Sequence, residues 1–118
     1  MESISESSLN HILDQRKSVE FIFISTPLCG TCKLAAKMLT ILEQTTPHLK
    51  IYEINVNEAT RFVQRWKVHS VPALFIFQKG LGIERIYAFH SIAHLYEKLS
   101  PYISFIELHN ENKNKGGC

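Results

Sequence analysis

Apolar residues recur along this chain with two distinct periods. Leu9, Ile12 and Leu13 fall at helical spacing within residues 5–17, and the serines ahead of them can cap the start of a helix. Residues 19–26, VEFIFIST, are apolar on both faces and rich in β-branched and aromatic side chains, the pattern of a central strand covered on both sides. Pro27 ends that run. Helical spacing returns over residues 33–43, where Leu34, Met38, Ile41 and Leu42 share one side, and Pro47 stops it. Residues 49–56 read as a second strand, and Asn57 is placed to cap a helix through Ala59, Phe62, Val63 and Trp66. Residues 73–77 form a third buried strand. Lys79 to Gly82 is a hairpin turn, and residues 83–89 are its antiparallel partner. Ser91 opens a last helix through Leu95, Tyr96 and Leu99, which Pro101 is expected to kink or interrupt before Ile103, Phe105 and Ile106.

The element order is α, β, α, β, α, β, β, α. Alternating strands and helices that end in a hairpin predict an α/β fold, a mixed sheet of about four strands flanked by helices. Residues 1–109 read as one domain, and the polar residues 110–118 as a disordered tail.

Composition narrows the function. A chain of 118 residues with 45% hydrophobic content can bury a core without staples. The formal charge of +2 is spread over scattered lysines and arginines, which argues against a nucleic-acid or anionic-membrane partner. No apolar run is long enough to cross a bilayer. Residues 1–8 lack the basic start and apolar core of a secretion signal, so a cytoplasmic location is expected. The cysteines are Cys29, Cys32 and Cys118. An odd set with two members three residues apart is not a disulfide framework; it indicates redox chemistry or metal binding.

The position of the close pair favours redox chemistry. Cys29 follows the end of a central strand, and Cys32 falls in the first turn of a helix. Unpaired N–H groups and the helix dipole stabilise an anion there, so Cys29 is the expected attacking thiolate. Side chains three residues apart on a helix lie roughly 5–6 Å apart, a separation a disulfide accepts. Cys32 can then resolve a mixed disulfide formed on Cys29. Gly30 lets the backbone turn and leaves Cys29 open to a bulky disulfide.

Leu28-Cys29-Gly30-Thr31-Cys32-Lys33 resembles the active-site segment of the thioredoxin superfamily. Ser70-Val71-Pro72, leading into Ala73 to Phe77, resembles its second hallmark, a cis-proline loop before a buried strand. The resemblance covers roughly residues 19–99. It implies a thiol–disulfide oxidoreductase without a cofactor, acting on protein or low-molecular-weight disulfides and recharged by a thioredoxin-reductase-like enzyme. It also implies a cis bond at Pro72 and a substrate segment hydrogen-bonded to the backbone of Val71. The family's first edge strand is expected to be missing, because the residues before Val19 read as helical.

The chain departs from thioredoxins proper at three places. Leu28 stands where they carry tryptophan, Thr31 where they carry proline, and Phe23 where they carry a buried acid that helps deprotonate the resolving cysteine. Glu53, in the next strand, occupies a position where the family often has lysine. Two readings of it remain: proton acceptor for Cys32 through water, or a carboxylate at the solvent edge of a strand. The Thr31 hydroxyl is placed to donate to the Cys29 sulfur, which favours the thiolate and a more oxidising pair, within roughly −270 to −180 mV.

Other side chains have ordinary explanations beside functional ones. Lys33 adds positive potential near the thiolate or is simply solvated. Trp66 reads as core packing, and His69 precedes Pro72 near the expected groove. His90 and His94 have a metal-ligand spacing, but His90 precedes the Ser91 cap. Cys118 is a resolving thiol, a cross-linking thiol or idle. Two alternative functions stay open. A metal-binding module would need four ligands where this chain has one pair and a distant cysteine. A redox-inactive interaction module would keep the fold as a scaffold.

Overall fold

A computed structural model describes residues 1–116, and the side chains as far as Ile106. The elements are β1 (Glu2–Ser3), α1 (Glu6–Asp14), β2 (Glu20–Ser25), α2 (Gly30–Thr45), β3 (Ile51–Asn55), a 3₁₀ turn (Val56–Glu58), α3 (Thr60–Arg65), β4 (Ala73–Gln78), β5 (Leu81–Ile86) and α4 (Ile92–Gly116). The strands form one mixed sheet in the order β1-β3-β2-β4-β5. β3 lies parallel to both β1 and β2; β4 runs antiparallel to β2 and β5.

Strand alternation divides the core in two. Phe21, Phe23, Ile51, Leu74 and Ile76 point to the face covered by α2 and α4, where they meet Leu39, Leu42, Leu95 and Leu99. Ile22, Ile24, Ile54, Phe75 and Phe77 point to the opposite face, against Leu9 of α1 and Phe62 of α3. All four residues from Phe21 to Ile24 are buried, as a strand covered on both sides requires.

The sheet has five strands, not four, and the first edge strand is present. β1 is only two residues long, too short to leave a period-two signal in the sequence. It forms because its partner holds it: Glu2 and Ser3 align with Tyr52 and Glu53, and the Ile4 N–H donates to the Glu53 carbonyl at 2.9 Å. Glu2 pairs with Lys50 at 3.0 Å, and the amino group of Met1 pairs with Glu43 at 2.9 Å.

Three local expectations also change. Asn57 does not cap α3. Asn55 accepts from the Asn57 N–H and opens the 3₁₀ turn, and the start of α3 is capped from a distance by Glu6, which accepts the Phe62 N–H at 2.8 Å. The hairpin turn is tighter than expected: Lys79 and Gly80 both have positive φ, so β5 begins at Leu81. Pro101 does not interrupt α4. Leu95, Leu99 and Ile103 fall four apart on one buried stripe, so packing continues on both sides of the proline. Ser5 and Ser91 cap α1 and α4 as their positions suggest.

Candidate active site

The chain leaves β2 at Ser25, turns through Thr26 to Leu28, and enters α2 at Gly30. Cys29 is the helix N-cap. Its N–H donates to the Thr26 carbonyl at 3.3 Å, its carbonyl accepts from the Lys33 N–H, and its Sγ accepts from the Cys32 N–H at 3.1 Å. This capping role explains why α2 starts three residues earlier than the apolar period suggested. The Thr31 Oγ1 lies 3.2 Å from the Cys29 Sγ. Cys29 and Cys32 are joined as a disulfide with a Cα separation of 5.1 Å. Cys32 is 3% exposed, whereas Cys29 is half-buried and flanked by Leu28 at 97% exposure. One sulfur is therefore reachable and the other sheltered.

Gly30 does not serve the turn. Its φ is not positive, and a Cβ there would meet nothing within 4 Å. Lys33 is exposed in the first turn, among the residues that line a cavity with Cys32. The Val71–Pro72 peptide bond is cis. Pro72 borders a second cavity together with Thr31, which ties it to the Cys29 side of the site.

Phe23, where an acid was expected from the resemblance, is fully buried and packs edge-to-face on Phe89, ring centroids 6.0 Å apart. Glu53 is its partner in register on the neighbouring parallel strand, so the carboxylate sits one strand to the side on the same face. Its Oε1 accepts from the Ser3 hydroxyl at 3.2 Å and its Oε2 from the Ser25 hydroxyl at 3.4 Å. Glu53 and Cys32 both line a cavity of about 380 Å³, along with Ser25, Asn55 and Glu58. The serines that hold Glu53 carried no signal in the sequence. One lies in the unexpected edge strand, the other at the end of β2.

Of the remaining candidates, His90 borders the site, lining the second cavity with Thr31 and Pro72. His69 is exposed. Trp66 stacks edge-to-face on Phe77 at 4.9 Å, as core packing demands. The His90 and His94 rings meet edge-on at 4.7 Å, and no group of three metal-ligating side chains exists among the described residues. Cys118 lies outside the described residues.

The family model described as Thioredoxin matches residues 1–101. The chain belongs to the thioredoxin family. Thioredoxin-like protein YusE of Bacillus subtilis is 41% identical over 97 residues, covering 82% of this chain and 89% of that protein. Thioredoxin-like protein YdfQ of the same organism is 30% identical over 92 residues, covering 78% and 81%. Among solved structures, oxidised thioredoxin from Plasmodium falciparum superposes with a TM-score of 0.76 at 16% identity, covering 87% of this chain and 98% of that one. Thioredoxin f2 from Chlamydomonas reinhardtii also gives 0.76, at 14% identity, covering 86% and 95%. At such identities these two show the fold alone. As a thioredoxin-family chain with its Cys29–Cys32 pair at disulfide distance, the protein is supported as a thiol–disulfide oxidoreductase in the general sense. Among the described residues no helix is long and apolar enough to cross a membrane.

Proposed function

We propose that this thioredoxin-family protein reduces disulfides of proteins or small thiols, with Cys29 as nucleophile and Cys32 as resolving thiol. One observation carries the reading: the accessible Cys29 sulfur caps α2, where the Cys32 N–H and the Thr31 hydroxyl converge on it at 3.1 and 3.2 Å. Such donors stabilise a thiolate far more than a neutral sulfur.

The Cys29 thiolate attacks one sulfur of the substrate disulfide. A Cys29–substrate bond forms, the substrate S–S bond breaks, and the departing thiolate takes a proton from solvent. The Cys32 thiol then gives its proton to Glu53 through water in the shared cavity and attacks the Cys29 sulfur. The second substrate thiolate leaves, and the protein is left with the Cys29–Cys32 disulfide. A thioredoxin-reductase-like partner in the cytoplasm returns it to the dithiol. The substrate lies extended along Val71, whose backbone offers strand-like hydrogen bonds beside Pro72, while Leu28, Gly30 and Lys33 frame the approach.

The test is reduction of insulin disulfides driven by dithiothreitol or a reductase. Cys29→Ser abolishes turnover, and Cys32→Ser accumulates a mixed disulfide on Cys29. Activity that survives Cys29→Ser overturns the assignment. A wild-type protein that is inactive but carries stoichiometric metal points instead to a binding module. For Glu53, the measured quantity is the pH dependence of mixed-disulfide resolution. Glu53→Gln slows that step and flattens its pH profile, leaving the first attack unchanged; an unaltered profile removes Glu53 from the mechanism.

A further inference from the structure

Glu53 stands at the centre of a small polar array on the α2 side of the sheet. Its backbone carbonyl accepts from the Ile4 N–H at 2.9 Å. Its side chain is held at both oxygens, by the Ser3 hydroxyl at 3.2 Å and the Ser25 hydroxyl at 3.4 Å. The strand register explains the convergence. Ser3 lies opposite Glu53 on β1, and Ser25 stands two residues beyond Phe23, the residue opposite Glu53 on β2. Side chains two apart on a strand share a face, so both hydroxyls lie on the face that carries the carboxylate. All three residues line the cavity of about 380 Å³ that also reaches Cys32.

A glutamate side chain is long and flexible, and ordering it costs conformational entropy. Half-buried Glu53 meets that cost with a separate donor for each oxygen, one from the strand on either side. The kind of donor matters as well. A serine hydroxyl can donate or accept. It donates to the ionised carboxylate, and when Glu53 takes up a proton one hydroxyl can rotate to accept it, so neither state is left unpaired. A lysine or arginine in the same place would favour the charged form alone. The other charged side chains on the cavity are Lys33 and Glu58, and Lys33 makes no ion pair with Glu53 among the described residues.

We propose that Ser3 and Ser25 are positioning residues for the resolving step. Acting through Glu53, they hold its carboxylate over the shared cavity, where it takes the Cys32 proton by way of a water. The inference rests on Glu53 as the proton acceptor and adds the groups that make it one. The Cys32 S–H proton passes through water to the Glu53 carboxylate, and the freed electron pair forms the Cys29–Cys32 bond. The Cys29–substrate bond breaks, and its electron pair leaves on the substrate sulfur. Glu53 then returns the proton to solvent or to that departing thiolate. The shortest strand of the sheet, β1, thereby takes part in the chemistry, because Ser3 supplies one of the two hydroxyls.

The probe is a symmetric aryl disulfide whose released thiolate is coloured. It is mixed with the reduced protein in a Cys118→Ser background, so that only Cys29 and Cys32 react. The first thiolate released reports attack by Cys29, and the second reports resolution by Cys32. Ser3→Ala and Ser25→Ala each slow the second release about threefold at about pH 7, the low end of one hydrogen bond's contribution, and leave the first unchanged. The deficit fades toward about pH 10, where hydroxide takes the thiol proton unaided, whereas a merely distorted site stays slow at every pH. Ser3→Thr and Ser25→Thr keep a hydroxyl and match wild type. In Glu53→Gln neither alanine substitution slows resolution further, because no acceptor is left to position. A wild-type second release in both alanine variants, or the same loss repeated in Glu53→Gln, overturns the role of the serines; a slow Glu53→Gln then still keeps Glu53 as the acceptor. A second release untouched by Glu53→Gln removes the acceptor and the serines with it.

Discussion

Replacing Thr31 with valine removes one of the two donors at the Cys29 sulfur and changes the shape of the site little. The Thr31 hydroxyl lies 3.2 Å from Sγ and the Cys32 N–H lies 3.1 Å away on the helix side. A hydrogen bond to an ion is worth about 1.5–3 kcal/mol, and Cys29 is only half-buried, so the lower end applies. About 1.5 kcal/mol corresponds to roughly one pH unit in the thiolate titration and about 30 mV in a two-electron couple. The sign follows from which state gains. The hydroxyl stabilises the thiolate, hence the dithiol form, more than the neutral disulfide. Thr31→Val therefore moves the midpoint of Cys29 alkylation upward by about one pH unit and makes the pair more reducing by about 30 mV. The Cys32 N–H stays in place, which keeps the change from being larger. The assay is the rate of iodoacetamide alkylation across pH, paired with equilibration in glutathione or dithiothreitol redox buffers. Thr31→Ser keeps the donor and should titrate as wild type. If valine leaves both quantities unchanged, or serine behaves like valine, the hydroxyl does not stabilise the thiolate and the reasoning fails.

Three further predictions concern the frame that holds the site. Gly80 has φ +80°, and a Cβ there would lie 3.2 Å from the Leu13 carbonyl oxygen, so Gly80→Ala costs about 1–2 kcal/mol; an unchanged urea midpoint contradicts this. Glu6→Ala removes the side chain that caps α3 and lowers stability by about 1 kcal/mol. Glu6→Gln keeps an acceptor and should lose less; the two are compared by chemical denaturation. Tyr102 donates to the Glu84 carboxylate, and that hydrogen bond, with burial and the nearby negative charge, pushes its pKa up to about 12. Because the folded value lies above the unfolded one, its contribution to stability is complete below about pH 10 and disappears as the pH rises through about 12. Tyrosinate absorbance should show a late step that vanishes in Tyr102→Phe, and its persistence in that variant would show the assignment to be wrong.

The parts of this protein legible in its sequence are those with a local cause. Phe21 to Ile24 could be read as a doubly covered strand because burial on both faces leaves no alternation. The redox pair could be read because its spacing and its place after a strand are local facts, and the Ser5 and Ser91 caps because capping acts within one turn. What tertiary structure decided acts between residues far apart in the chain. β1 is two residues long and exists through its pairing with β3. α3 is capped by Glu6 from 56 residues away, so the apparent signal at Asn57 was misleading. Pro101 stays within a helix because the stripe formed by Leu95, Leu99 and Ile103 is buried on either side of it. Glu53 could be named from sequence, but only the register with Phe23 and the hydroxyls of Ser3 and Ser25 put its carboxylate on a cavity shared with Cys32. The unpaired hydroxyl of Tyr87 left no trace in the sequence at all. A missing hydrogen bond is a property of everything that surrounds an atom, and those surroundings exist only once β4 and the core on the α1 and α3 side of the sheet have come together.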